Sequence, residues 1–287
     1  MNQCDDCKNS LLCDSGCLPS ILPLELVDRT MLERVGGKAA NLGEIAGMGF
    51  EIPNGCVITI DVFDAALNAV SLPVGGKRYG FSFMNLHFPQ DLYPHLKEWA
   101  ERLAGPVAVR SSAVFEDSDQ ASYAGQLSSI LNVEGFDQIV VAVEECWHSI
   151  FGQRVKTYSK LHNDGIDRLR MAVIVQEQVF PKAAGVMFTA HPITGNPEHT
   201  VIEAVSGIGN KLVDGVGTPN HWVIDRNSRE VIESHIFNYV DVSEAELKAL
   251  HDLGIKVQTL FGKPQDIEWA LKDGKPLVLQ CRPITSM

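Results

Sequence analysis

A chain of 287 residues with 45% hydrophobic and 21% charged residues has the composition of a globular protein and the length for one large domain or two lobes. A net charge of −12 argues against a general nucleic-acid-binding surface, which needs cations, but leaves room for a phosphate site built from a few local ones. No apolar run spans a bilayer and the polar N-terminus lacks a signal region, so a cytoplasmic protein with no membrane partner is expected.

Residues 1–20 stand apart. Cys4, Cys7, Cys13 and Cys17 bring four of the seven cysteines into this stretch. Four thiolates at such spacings can bind Zn²⁺ or an iron–sulfur cluster, and can equally form an unliganded thiol-rich tail.

From residue 21 onward strand-like and helix-like segments alternate. In "KAANLGEIAGM" (38–48) Ala39, Leu42, Ile45 and Ala46 share a helical face, and Gly49 is a stop signal. Gly36 and Gly37 precede this helix and Lys38 falls in its first turn, an arrangement that suits an anion. The Walker A spacing is absent, and a solvent-facing lysine at a loop–helix junction fits the same residues. "CVITI" (56–60) reads as a strand, with Asp61 capping a short helix after it.

The Gly- and Pro-bearing stretch 71–90 reads as an irregular connection, and a helix is expected over 91–103. "PVAVRSS" (106–112) reads as a strand running into a loop. Arg110 at its end, beside Ser111 and Ser112, is a candidate phosphate contact, or a charge in an ordinary loop. Asp137 opens a helical pattern to about 161.

A lobe boundary is expected near 165–170, giving a Cys-rich segment 1–20, an N-terminal lobe 21–165 and a C-terminal lobe 166–287. "MAVIVQEQV" (171–179), "AGVMFTA" (184–190), "TVIEAV" (200–205) and "HWVIDR" (221–226) read as strands. The glycines of 203–222 can wrap a ligand or simply make turns. "SEAE" (243–246) matches a capping box, opening a helix to about Phe261 that Gly262 ends.

The chain closes on a hairpin, "DIEWALKDGKPLVLQCRPITSM" (266–287). A five-residue loop, Lys272 to Pro276, would pair Glu268 with Gln280 and Asp266 with Arg282 on one face; an even loop length would put Gln280 on the wrong face. Carboxylate and amide oxygens are hard ligands suited to Mg²⁺, and Arg282 can fork onto a phosphate. A solvated ribbon with one Asp–Arg surface pair fits the same residues.

Each signal alone is weak; their order is specific. "GGKAANLGEI…IPNGCVIT", "VAVRSSAVFEDS…SYAGQ…LNV", "VQEQV…AGVMFTAHPITG", "IEAVSGIGN…VDGVGTPNHWVI" and "DIEWAL…LQCRPIT" resemble the N-terminal ATP-binding module of the phosphoenolpyruvate synthase and pyruvate phosphate dikinase family over residues 30–285. Rifampin phosphotransferase and the ATP-binding subunit of phenylphosphate synthase share that module. The resemblance implies an α+β, ATP-grasp fold with two lobes enclosing ATP. It implies that Lys38 and Arg110 hold the triphosphate, that Glu268 and Gln280 bind Mg²⁺, and that Asp266 and Arg282 act beside them. It places Gln176 and Val179 along the adenine, and Thr189 and Glu203 in further cleft-lining motifs.

Two motifs depart from the family pattern. Gly207-Ile208-Gly209-Asn210 stands where Gly-Leu-Gly-Glu is usual, removing a negative charge, and Gln280-Cys281-Arg282-Pro283 replaces Gln-Ala-Arg-Pro with Cys281 expected to face the core.

Full-length family members continue to a swivelling domain whose histidine follows Thr-Ser. None of the nine histidines here fits that signature; His235, the nearest, lacks the threonine. The expectation is therefore an ATP-binding subunit of a split phosphotransferase that phosphorylates a histidine on a partner subunit, releasing AMP and phosphate, with a further acceptor-binding subunit. The alternative is a non-catalytic nucleotide sensor, or a regulatory subunit with a Cys-bound metal.

Overall fold

The computed structural model describes residues 20–70, 86–103, 105–114, 129–152, 170–209 and 218–284. They form an α+β protein with two antiparallel sheets, and the chain divides into two compact units. The first holds the described residues of 20–40, 54–114 and 129–178. The second holds 41–53 and 179–284.

The sheet of the first unit has the order β1-β2-β5-β3-β4. Its strands are β1 (Ile21–Pro23), β2 (Gly55–Ile58), β3 (Val107–Ala113), β4 (Ser129–Val133) and β5 (Met171–Glu177). Alternation divides its faces. Cys56, Ile58, Val107, Val109, Val173 and Val175 point one way, into a core closed by α2 (Ile60–Ala69), α3 (Tyr93–Leu103) and α4 (Gly135–Gly152). Trp147 of α4 anchors that core. It meets Phe63 edge-on at 5.9 Å and stacks on Phe88 at 6.0 Å. Burying each such ring contributes about 2–3 kcal/mol. Asp61 does not cap α2 as the sequence suggests. Thr59 occupies the cap, and Asp61 lies in the first turn, where it accepts a hydrogen bond from Arg34 Nε at 2.8 Å.

Helix α1 (Leu32–Gly47) is two helices in one. Gly36 has φ 72° and interrupts it, so a new helical segment starts at Gly37. The division between the units passes through α1 after Ala40.

The second unit is a six-stranded sheet in the order β11-β10-β6-β7-β8-β9. Its strands are β6 (Ala183–Phe188), β7 (His199–Ser206), β8 (Asn220–Asp225), β9 (Val231–His235), β10 (Gln265–Lys272) and β11 (Lys275–Pro283). Helix α5 (Glu244–Phe261) packs on β6, β7, β10 and β11. It opens with the expected capping box, Ser243 with Glu246, and Gly262 closes it at φ 69°. Residues 41–53 join this unit through bonds that include Asn41 Nδ2 to Cys281 O at 3.0 Å, Val278 N–H to Glu51 O at 3.1 Å, and Lys275 Nζ to Glu51 Oε1 at 2.8 Å.

The closing hairpin corrects one expectation. Its loop is two residues, not five: Asp273 and Gly274, at φ 52° and 75°, joining Lys272 paired with Lys275. This is the positive-φ Asp-Gly turn that matches the twist of an antiparallel pair. Leu271 pairs with Pro276 rather than Leu277. A β-bulge at Leu279 then absorbs one residue.

Among the described residues no helix is long and apolar enough to cross a membrane. The four N-terminal cysteines and Asn210 lie outside the described residues.

Candidate functional site

In the first unit, one face of the sheet carries the polar candidates. Arg110 pairs with Ile174, and Gln176 pairs with Ala108 and Gly55, so Arg110, Ser112 and Gln176 point away from the helical core. The restart of α1 meets this face. Ser112 Oγ accepts from Ala39 N–H at 3.1 Å and donates to Val35 C=O at 2.7 Å. One hydroxyl thus ends the short helical segment before Gly36 and caps the one after it. Gly36 is required twice over. Its φ is positive, and an added Cβ would fall 2.1 Å from Ser112 O. Lys38, two residues on, is 6% exposed.

Ser112 is therefore a structural residue that the sequence presents as a ligand contact. Ser111 faces the helical core instead, fully buried and, among the described residues, with no hydrogen-bond partner for its hydroxyl. Gln176 is 2% exposed, and its Nε2 also has no partner among the described residues. A buried amide donor without an acceptor costs about 1–3 kcal/mol, an expense that a bound acceptor group removes. Val179, half-buried, is the first residue of the second unit after Gln178.

In the second unit the structure brings four candidates onto one face. Glu268 stands opposite Gln280, and Asp266 opposite Arg282. Glu203 joins the row through β6: Gln280, Glu268, Val186, Glu203, His221 and His235 are successive cross-strand neighbours. Arg282 donates from Nε and Nη2 to Asp266 Oδ2 at 2.8 and 2.6 Å. His221 Nδ1 lies 3.4 Å from Glu203 Oε1, a neighbour that sequence reasoning missed.

The electrostatics of this face are those of excess negative charge. Burial raises the Asp266 carboxyl above the usual carboxylate range. Arg282 pulls it down, while Glu268 and Glu203 push it further up, and the net shift is upward. A divalent cation at the carboxylates would relieve that repulsion. The donor types suit Mg²⁺: the cross-strand neighbours Glu268 and Gln280 would offer it a carboxylate and an amide oxygen, hard ligands that leave room for phosphate and water. Among the described residues no three His, Cys, Asp or Glu side chains converge as a closed ligand set.

Thr189 takes a different place. It is fully buried, with its methyl group towards Gly254 of α5 and its Oγ1 accepting from Gln265 N–H at 2.8 Å. Cys281 shares that inner face, its thiol 3.1 Å from Gln265 Oε1, as the sequence suggests.

The model for the pyruvate phosphate dikinase AMP/ATP-binding domain matches residues 76–239 and 237–287. The chain belongs to this family. A probable phosphoenolpyruvate synthase of Archaeoglobus fulgidus is 33% identical over 316 residues, covering 93% of this chain and 42% of its own length. One from Methanothermobacter thermautotrophicus is 32% identical, covering 88% of this chain and 44% of its own. A rifampicin phosphotransferase of Streptomyces sviceus is 32% identical, covering 93% of this chain and 36% of its own. The chain thus spans less than half the length of these relatives. For a member of the pyruvate phosphate dikinase AMP/ATP-binding family, two antiparallel sheets in an α+β chain agree with the ATP-grasp fold that the resemblance implies.

Proposed function

We propose that this chain binds MgATP and delivers a phosphoryl group from it to a histidine on a partner polypeptide, with AMP and phosphate released. The observation that carries the reading is the Asp266–Arg282 and Glu268–Gln280 face, where an acid, an amide and a guanidinium share one strand pair. The domain family is described by its AMP/ATP binding, and relatives bear the names of phosphoenolpyruvate synthases and rifampicin phosphotransferases.

The residues divide the work by charge. Lys38 and Arg110 would hold phosphate oxygens. Gln176 would give its Nε2, which has no partner among the described residues, to the adenine edge, with Val179 lining it. Arg282, held by Asp266, would reach phosphate in a fixed orientation. Glu268 and Gln280 would hold Mg²⁺, with Glu203 adding negative charge behind them; the ion supplies charge neutralisation at the phosphates. Phosphoryl transfer is mostly positioning and neutralisation, so these are the parts it needs. The final acceptor would be bound by a further subunit.

The test is co-expression with the products of neighbouring genes, then incubation with ATP labelled at the β-phosphate. Label on a histidine of another polypeptide, AMP as product, and loss of both in Arg282→Ala are expected. Label confined to this chain, or no uptake of MgATP by calorimetry, would overturn the reading.

A further inference from the structure

Among the described residues strand β9 is an edge of the six-stranded sheet, and all five of its residues are exposed. The surface around it is apolar. Ile232, Ile236, Phe237 and Tyr239 are 53%, 59%, 59% and 87% exposed. This presentation is held rigidly. Asn220 is 1% exposed, and its Oδ1 accepts from the N–H groups of Phe237 and Asn238 at 2.8 and 3.0 Å. Its Nδ2 donates to Asn238 O at 2.8 Å, while Asn238 Nδ2 donates to Thr218 O at 2.9 Å. Two asparagines thus fix the turn that puts Ile236, Phe237 and Tyr239 into water. An open edge with a preorganised apolar border is a template for another strand.

The sequence of the edge says which strand. Residues 231–237 read Val-Ile-Glu-Ser-His-Ile-Phe. About Ser234 the pattern is self-complementary: two apolar residues and an acid on one side, a base and two apolar residues on the other. We propose that β9 pairs antiparallel with β9 of a second copy of this chain, about a two-fold axis at Ser234. Glu233 then faces the partner's His235, Ile232 faces the partner's Ile236, and Val231 faces the partner's Phe237. Shifting the centre to Glu233 or to His235 sets like groups against each other and puts a charged or imidazole side chain against an apolar one. One register therefore satisfies every position.

Within one chain His235 Nε2 already lies 2.9 Å from Glu233 Oε1, on the same face of the strand. Two-fold pairing places a second such pair beside it in opposite order, so acid and imidazole alternate in a square. The bulge that inserts Ile232 opposite β8 confines regular pairing to the centre, leaving the ends to side-chain packing. The interface is isologous and closes, so it makes a dimer rather than a fibre.

Light scattering or sedimentation of the whole chain across a concentration series up to roughly 100 µM tests this. Mass is expected to rise towards twice that of one chain. Glu233→Lys and His235→Glu should each weaken association by about tenfold or more: the first replaces the carboxylate that faces the partner's imidazole with an ammonium, and the second sets two carboxylates across the two-fold. The double change Glu233→Lys with His235→Glu should restore it, because lysine then faces the partner's glutamate. Both positions are on the surface, and unchanged melting curves of the three variants would confirm intact folds. A chain that stays monomeric at every concentration overturns the proposal. So does a dimer indifferent to the single changes, or a double variant no tighter than either.

Discussion

Glu268 and Gln280 stand directly opposite each other although the turn beyond them, taken alone, pairs Glu268 with Leu279. The extra residue at Leu279 moves Gln280 and Arg282 onto the acidic face. The bulge is therefore a register device, and removing its residue should be tolerated. Deleting Leu279 leaves Trp269 opposite Val278 and Glu268 opposite Gln280 in a regular ladder. Inserting an alanine after Leu279 instead asks the ladder for a second bulge or a turned face. The deletion is expected to keep MgATP affinity within a few-fold by calorimetry, and the insertion to abolish it. Loss of binding in both would show that the bulge does more than set register.

This hairpin also shows how far the sequence can be read. The pairings were legible because four polar residues with a metal-site and phosphate-site chemistry leave few useful registers. The route to them was not. "KDGK" carries a clear two-residue turn signal, but "PLVLQ" is uniformly apolar before Gln280, and nothing in it marks which residue bulges. Strand β9 was missed for the opposite reason: both its faces meet water, so the alternation that identifies a half-buried strand is absent. In the sequence Ser112 belongs to a candidate phosphate contact around Arg110, because a hydroxyl beside an arginine looks the same whether it caps a distant helix or meets a phosphate. Only the fold brings residue 112 to residue 36. The capping box at Ser243, in contrast, is a local device and was legible in four letters.

Gly36 and Ser112 make a second prediction. Gly36→Ala must place a methyl group where Ser112 O stands, in a backbone conformation that alanine disfavours. A cost of about 3 kcal/mol or more is expected. Ser112→Ala removes both hydrogen bonds of the hydroxyl and should cost about 1–3 kcal/mol. Because the two act at one junction, the double variant should be less destabilised than the sum. Urea midpoints of the four proteins check this, and strict additivity would separate the two residues.

Asp266 should show the opposing demands of function and stability. Its folded carboxyl is raised by burial above the unfolded value near 3.8, so the folded state holds a proton more firmly than the unfolded one. The charged carboxylate therefore costs stability at neutral pH, and that cost fades as pH falls through the raised folded value towards 3.8. Asp266→Asn removes the charge without a change of shape. It is expected to leave the melting temperature equal or higher at pH 7, while lowering MgATP affinity by about tenfold or more as Arg282 loses its anchor. Any advantage of the asparagine variant should shrink as pH approaches 4. An advantage that grows on acidification would contradict the assigned direction.

His251 should contribute to the pH response of the second unit with the opposite sign to Asp266. It is 2% exposed on α5, with Nδ1 3.0 Å from Thr200 Oγ1. Burial lowers its pKa below the ordinary histidine value of 6.5. The neutral imidazole is thus the folded form, and the unfolded chain takes up the proton first. Its contribution is complete above about pH 6.5 and is lost as pH falls from there through the lowered folded value. His251→Gln keeps a hydrogen-bonding side chain that does not titrate. The variant should be less stable at pH 7.5, by about 1–2 kcal/mol for imperfect packing, yet lose less stability than the parent between pH 6.5 and 5. Denaturant midpoints measured across that window decide the matter. If both proteins lose stability in parallel, protonation of His251 is not what drives the acid limb.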